Sequence, residues 1–144
     1  MSNLVLVAVD GSEGGSRALE YASERAKLGG AKIILTFVIE WSPYTFNTPE
    51  ENAERHMRRE QEIDRAHSSV LEPAAATLKA AGIEHETVVR HGSPAETLIK
   101  LAQSHKVQQI VIGRRGQSAI RNLLFGSVAG TLVQISPVPV VVVP

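Results

Sequence analysis

The chain has 144 residues, the size of one compact domain, so we expect a single domain over residues 1–144. Its 15 Lys and Arg residues balance its 15 Asp and Glu residues, so it lacks the basic surface expected of a dedicated nucleic-acid binder. It contains no cysteine, which excludes a disulfide framework, thiol catalysis and a cysteine-ligated metal.

The first predicted strand is the apolar run from Leu4 to Val9. Its lack of alternation is typical of a central parallel strand that is covered on both faces. Because the run stops at Asp10 and no basic residue precedes it, we interpret it as a strand and not as a signal peptide. No later apolar stretch approaches the length of a membrane span, so we expect a soluble cytoplasmic protein without membrane insertion. Ser12 is the predicted N-cap of a helix that ends at Gly29-Gly30.

Two further strands and a long helix are predicted in the middle of the chain. A second buried strand covers Lys32 to Ile39. The helical spacing from Glu50 to Ala81 predicts a helix that Pro73 kinks or breaks. Glu84 to Arg90 alternates enough to be a strand nearer the sheet edge. Ser93-Pro94-Ala95-Glu96 then has the sequence of a capping box that starts another helix.

A glycine-containing segment follows the fourth predicted strand, Ile110 to Ile112. Gly113 ends the strand, Gly116 follows, and after nine more residues Gly126-Ser127 opens a helix. Glycines allow the backbone to approach an anion closely, and a helix start supplies free N–H donors. The order of strand, glycine loop and helix start therefore indicates a phosphate-binding loop. The alternative from spacing alone is that Gly113 and Gly116 only turn the chain, while Gly126 permits close packing.

Three arginines, Arg114, Arg115 and Arg121, place positive charge in this segment. An arginine can bind phosphate through two parallel hydrogen bonds, but one in an exposed loop can also point to water, and the sequence leaves both alternatives open. The chain has no GxxxxGK[ST] motif, so it lacks the lysine and the metal-binding hydroxyl of a P-loop NTPase. We therefore expect little or slow ATP hydrolysis.

Strands and helices alternate along the whole chain. Such alternation predicts an α/β fold with a five-stranded parallel sheet and helices on both faces. In an open sheet of this kind, ligands bind beyond the carboxyl ends of the strands. The segments after the first, second and fourth strands are therefore candidates for one site. His91 follows the third strand, and we expect it to be an exposed loop histidine, with a position in the crevice as the alternative.

The spacing of Gly113, Gly116 and Gly126-Ser127, together with LVAVDGS at the start and PVPVVVVP at the end, resembles the ATP-binding branch of the universal stress protein family. The resemblance covers essentially the whole chain. It implies a Rossmann-like fold of the adenine nucleotide alpha hydrolase type with strand order 3-2-1-4-5. In that order Asp10 lies beside the glycine segment.

The resemblance also implies roles for individual residues. Positions that match Asp10 and Val38 contact adenine in the family, and those that match Ile112 and Gly113 lie at the ribose. A base would fit an apolar slot near the ends of the first two strands, and main-chain donors of the glycine segment would bind the phosphates. The predicted site consists of Ala8, Val9, Asp10, Val38, Ile112, Gly113, Arg115, Gly116, Gly126, Ser127 and Val128. A strand-end aspartate can instead cap the turn that follows it, and this alternative stays open for Asp10.

The last predicted strand, Val138 to Val143, is a long uncharged run that this topology puts at a sheet edge. Unpaired backbone groups at such an edge would promote aggregation, so a cover is expected. The simplest cover is the same strand of a second copy, in a two-fold homodimer. The family resemblance implies the same arrangement.

The function expected from these patterns is that of an ATP-binding regulatory homodimer, with ATP and Mg²⁺ in the crevice and a protein partner that the sequence does not identify. A second hypothesis is a slow ATPase or phosphoryl transferase, in which Asp10 holds a metal and Ser127 orients phosphate. A third is a protein-interaction module that binds AMP, ADP, cyclic AMP or no nucleotide.

Overall fold

The computed structural model describes residues 3–40, 49–115 and 127–144. Strands and helices alternate within these ranges, as the sequence predicts. The strands are β1 Leu4–Ala8, β2 Lys32–Glu40, β3 His85–Gly92, β4 Gln109–Gly113 and β5 Val140–Val143. The helices are α1 Glu13–Gly29, α2 Pro49–Ala66, α3 Glu72–Ala80, α4 Pro94–Ser104 and α5 Ser127–Ile135.

The strands form one five-stranded sheet in the order β3-β2-β1-β4-β5. Every neighbouring pair is parallel. The predicted parallel sheet and its strand order are therefore confirmed. The order reverses at β1, which pairs with β2 on one side and β4 on the other, so the ends of these three strands border the switch point.

The two faces of the sheet carry separate apolar clusters. On one face, β1 residues such as Val7 pack with Leu19 of α1 and Leu78 of α3. On the other face, Leu6 of β1 packs with Leu98 of α4 and the α5 side chains. Both Leu6 and Val7 are fully buried, so adjacent residues of one strand serve opposite clusters. This explains the continuous apolar run in β1, and it confirms helices on both faces.

The ends of α1 follow the sequence signals. The Ser12 hydroxyl accepts a hydrogen bond from the Gly15 N–H at 3.2 Å, and Gly30 ends the helix in the left-handed region with a φ of 70°. The start of α4 differs from the prediction. Ser93 occupies the N-cap position, but its side chain makes no capping hydrogen bond, so the predicted capping box is wrong. Its ψ is 120°, against 164° at Ser12, and the chain therefore enters the helix differently.

The long central helix is interrupted one turn earlier than Pro73. A π-helical segment, His67–Leu71, separates α2 from α3, and the Glu72 N–H bonds the His67 carbonyl. Pro73 lies in the first turn of α3, where its missing N–H is tolerated. The helix therefore accommodates the proline by widening the preceding turn.

The last strand is two residues shorter than predicted because Ser136 binds the backbone of Val138. The Ser136 hydroxyl donates to the Val138 carbonyl at 2.8 Å and accepts from the Val138 N–H at 3.2 Å. Both main-chain groups of Val138 are thus used locally and cannot join the ladder. Strand β5 begins at Val140 and lies at the sheet edge, as expected.

In the described parts of the chain, every helix is too short or too polar to cross a bilayer.

Candidate functional site

A cavity of about 470 Å³ lies at the carboxyl ends of β1, β2 and β4. This volume is in the range of small-molecule sites. The first turns of α4 and α5 close it on the face where those helices pack. The cavity is therefore at the switch point where an open parallel sheet places its ligand.

The predicted site residues that the structure describes all line this one cavity. They come from the ends of three strands, the segment after β4 and the start of α5. They are Ala8, Val9, Asp10, Val38, Ile112, Gly113, Arg115, Ser127 and Val128. Gly116 and Gly126, together with Arg121, lie outside the described residues.

Asp10 caps the turn that follows β1 and also lines the cavity. One of its carboxylate oxygens, Oδ1, accepts a hydrogen bond from the Ser12 N–H at 3.0 Å, and the Ser12 hydroxyl donates to the same oxygen. The Ser12 hydroxyl in turn caps α1, so Asp10 and the start of that helix are held together. The capping alternative considered for Asp10 therefore holds, and it leaves the residue at the cavity wall.

Arg114 and Arg115 bring two guanidinium groups to one end of the cavity. The Nε atoms of both are buried and, within the described ranges, have no hydrogen-bond partner. A buried donor without a partner costs about 1–3 kcal/mol, and more when it is charged. Both residues line the cavity, so an anionic group there would lie beside two positively charged side chains. The sequence left both arginines undecided between phosphate and water, and only Arg115 was among the predicted site residues.

The segment after β4 packs directly against the start of α1. A Cβ atom added at Gly14 would overlap the carbonyl oxygen of Arg115, and one added at Gly113 would overlap the carbonyl oxygen of Gly14. Gly113 thus permits a close approach of strand and helix. Close packing is a role that the sequence suggested only for Gly126, whereas for Gly113 it suggested anion approach or a chain turn.

The other end of the cavity carries carboxylates. Glu40, the last residue of β2, and Glu96, in the first turn of α4, are both exposed and both line it. Glu40 pairs with Gly92 of β3, two residues before α4 begins, which places both at the β2–β3 side. The arginines follow β4, two strand spacings or about 10 Å from β2. The cavity is therefore acidic at one end and basic at the other.

Apolar side chains lie between these ends. Val38 and Ile112 come from strand ends, and Leu98 comes from α4, where it is 2% exposed. Such walls suit a flat apolar group such as a nucleobase, whereas the basic end suits an anion. The contribution of α4 is absent from the sequence-based site. The signal for it was available, since α4 starts directly after β3 and the order of strands puts β3 beside β2.

His91 does not lie in this cavity, and it is not the exposed loop residue expected from the sequence. It belongs to β3, and its side chain is 12% exposed. Its Nε2 lies 2.9 Å from Oε2 of Glu62, so it links β3 to α2. The strand continues to Gly92, past the Arg90 boundary predicted from alternation, because β2 pairs with it up to Glu40.

A wider groove of about 800 Å³ lies between α1 and the segment from the π-helix to α3. It shares only Val9 and Ser12 with the first cavity. Its charged lining residues are Glu20, Glu24 and Lys27, so its walls are acidic on balance. The chemistry of an anion site therefore resides in the smaller cavity. Among the described residues, no group of three or more His, Cys, Asp or Glu side chains is placed to hold a metal ion.

Comparison with known proteins identifies relatives over the full length. The family model of the universal stress protein family matches residues 1–144. A curated relative, the universal stress protein YxiE of Bacillus subtilis, is 31% identical over 147 residues, which covers 99% of both chains.

Solved structures with the same fold include two nucleotide complexes. A universal stress protein in complex with cAMP is 27% identical, with a TM-score of 0.67 and coverage of 99% of this chain and 96% of the other. The universal stress protein of Archaeoglobus fulgidus in complex with dAMP is 24% identical, with a TM-score of 0.71 and coverage of 100% and 98%. At that identity the second structure supports the fold alone.

Proposed function

The chain belongs to the universal stress protein family, and from this premise we propose that it is an ATP-binding regulatory protein whose nucleotide lies in the 470 Å³ cavity. One observation carries the proposal. The cavity has two buried arginine Nε donors without described partners at one end and apolar walls beside them.

The phosphates are proposed to lie at the basic end. Arg114 and Arg115 offer charge-assisted donors there, and Ser127 and Val128 in the first turn of α5 line the same cavity. The positive end of the α5 dipole adds to this field. Gly116 and Gly126 are proposed to supply further main-chain donors, although both lie outside the described residues.

The base and ribose are proposed to occupy the apolar walls. Val38 and Ala8 would contact adenine beside Asp10, and Ile112 with Gly113 would border the ribose. The relative solved with cAMP supports an adenine nucleotide as the ligand class, since it is 27% identical over nearly the whole chain.

We expect ATP to bind more tightly than a monophosphate because the site offers two guanidinium groups and a helix start. A triphosphate carries enough charge to engage all three donors, whereas AMP or cAMP cannot. Mg²⁺ would be held chiefly by phosphate oxygens and water, as is usual for this ion. The cAMP-bound relative favours a monophosphate-binding module as the second candidate.

Isothermal titration calorimetry of the purified protein with ATP, ADP, AMP and cAMP, each with and without Mg²⁺, tests the proposal. We expect affinity to fall from ATP to ADP to AMP. Tighter binding of cAMP or AMP than of ATP would favour the second candidate. No heat and no thermal stabilisation by millimolar ATP, with the fold intact, would refute nucleotide binding, since a ligand of the native state must stabilise it.

We also propose that the protein forms a homodimer through the edge strand β5. Its neighbour β4 donates from Ile110 to the Pro139 carbonyl at 3.0 Å and from Arg114 to the Val143 carbonyl at 2.8 Å. In a parallel ladder this register turns the N–H groups of Val140 and Val142 outward. The outer edge is thus an uncharged strand with donors available for a second copy.

Sedimentation of a Val142→Pro variant tests the dimer. The proline removes one outward N–H without breaking the β4 ladder, so we expect the dimer to weaken while circular dichroism stays unchanged. Val141→Pro is the matched control, because it removes an inward N–H and should destabilise the sheet itself. A wild-type protein that sediments as a monomer at all concentrations would contradict the proposal.

A further inference from the structure

The start of α1 and the segment after β4 are in backbone contact at Gly14. A Cβ atom added at Gly14 would overlap the Arg115 carbonyl oxygen and lie 3.2 Å from the carbonyl carbon of the same residue. Contacts this close are not found for real Cβ atoms, and the obstacle is backbone, which cannot rotate away. Only glycine therefore fits at this position with Arg115 where it is.

The other glycines of α1 show that this contact is specific. A Cβ atom at Gly29 would meet only the Asn3 side chain, at 3.7 Å. One at Gly15 would meet Asp10 at 3.3 Å and not Arg115. Gly14 does not adopt a positive φ, so its glycine is not required by backbone conformation. Glycine is a poor helix former, and room for Arg115 is the reason that the structure gives for it here.

The two arginines are thereby held from two sides. On one side the Arg115 main chain rests on Gly14, and on the other the Arg114 N–H donates to the Val143 carbonyl of β5 at 2.8 Å. The backbone positions from which both side chains extend follow from where this two-residue segment lies. We propose that Gly14 is a positioning residue, which fixes the arginine pair for an anionic ligand without touching that ligand. The proposal rests on the assignment of these arginines to phosphate binding.

Nuclear magnetic resonance of the Arg114 and Arg115 Nε–H groups tests the positioning without any nucleotide. Arg114→Lys and Arg115→Lys assign the two signals. We expect Gly14→Ala to shift both and Gly29→Ala, a change of the same type in the same helix, to shift neither. Unchanged signals in Gly14→Ala would overturn the proposal.

Calorimetry with two ligands then separates positioning from a general structural effect. Gly14→Ala should weaken ATP binding on the order of tenfold, the effect of one lost charge-assisted hydrogen bond, and leave adenosine within about twofold of wild type. Gly29→Ala should change neither. Equal weakening of ATP and adenosine would overturn the proposal, because it would show that the whole cavity is disturbed.

With these two experiments, the proposed nucleotide binding and the proposed role of Gly14 can fail separately. If the wild-type protein binds no ATP, the proposed function fails, and the Nε–H signals alone decide whether Gly14 positions the arginines. If Gly14→Ala does not fold, the close approach of the two backbones is measured in the wild-type protein instead. A nuclear Overhauser effect between the Hα protons of Gly14 and Gly113 supports the close approach, and its absence overturns it.

Discussion

The sheet has an amino-terminal edge, where its parallel strands begin, and a carboxyl-terminal edge, where they end. The charged groups at these two edges have different partners. At the amino-terminal edge, Lys32 Nζ lies 3.2 Å from Glu86 Oε2, and His105 Nδ1 lies 3.8 Å from Glu86 Oε1. At the carboxyl-terminal edge, the buried Nε donors of Arg114 and Arg115 have no partner within the described part of the chain. Lys32 and Glu86 are thus paired within the protein, whereas the two Nε donors have no described partner.

Two pairs of glycines, one pair at each of these edges, show two different uses of the residue. Gly30 and Gly82, at the amino-terminal edge, have φ values of 70° and 72°, and a Cβ atom on either would meet nothing within 4 Å. Gly14 and Gly113, at the carboxyl-terminal edge, have no positive φ but would overlap backbone if they carried a Cβ atom. Gly30 and Gly82 thus serve backbone conformation, whereas Gly14 and Gly113 permit close approach. Close approach is what a site built from main chain requires.

Removal of both arginines should produce the largest effect. We expect Arg114→Ala combined with Arg115→Ala to weaken ATP binding about a hundredfold, because two charge-assisted hydrogen bonds of about 1.5 kcal/mol each are lost. Calorimetry of the double variant and of the wild-type protein measures this loss of ATP affinity. Lys32→Met, which removes a cation from the opposite edge, is the control and should leave ATP affinity unchanged. An unchanged affinity in the double variant would mean that phosphate does not lie at the basic end.

A side chain at Gly113 should destabilise the fold itself. The added Cβ atom would press on the Gly14 backbone, and overpacking of this kind costs about 2 kcal/mol. Urea denaturation should therefore show a lower midpoint with an unchanged slope for Gly113→Ala. Wild-type stability in this variant would show that β4 and α1 can separate without cost.

A side chain at Gly82 should cost less and for another reason. Gly82→Ala introduces no clash, but an alanine in the left-handed region is unfavourable by about 1 kcal/mol. Gly82→Asn tolerates this region better and should recover part of the loss. Equal losses for alanine and asparagine would show that backbone conformation is not the cause.

The smallest effect is expected for the ion pair at the amino-terminal edge. The side chains of Lys32 and Glu86 are 33% and 42% exposed, and pairs of this kind contribute about 0–1 kcal/mol. Lys32→Met should therefore change the free energy of unfolding by less than about 1 kcal/mol in urea denaturation. A larger loss would mean that this edge depends on its charges more than its exposure suggests.

The sequence predicted the sheet well because its signals are local. The runs in β1, β2 and β4 are continuous because both faces are covered, and that pattern is visible without a structure. The start of β5 could not be predicted, since a serine hydroxyl at Ser136 takes both backbone groups of Val138. The π-helical segment was also missed.

The position of the candidate site was predictable from the sequence. The contacts that build it were less predictable. Parallel strands with known order bring their carboxyl ends together, so Asp10, Val38 and Ile112 could be grouped in advance. The contact between Gly14 and Arg115 could not, because it joins backbone atoms that lie far apart in sequence. The buried state of the arginine Nε atoms likewise depends on packing that spacing does not encode.

The central claim is that the phosphates of ATP lie against the two guanidinium groups. A crystal structure of the protein with ATP and Mg²⁺ tests it most directly. We expect phosphate oxygens within hydrogen-bond distance of Nε of Arg114 and of Arg115, with the adenine beside Val38. Phosphates at the Glu40 and Glu96 end, or arginines that point away from the nucleotide, would contradict it.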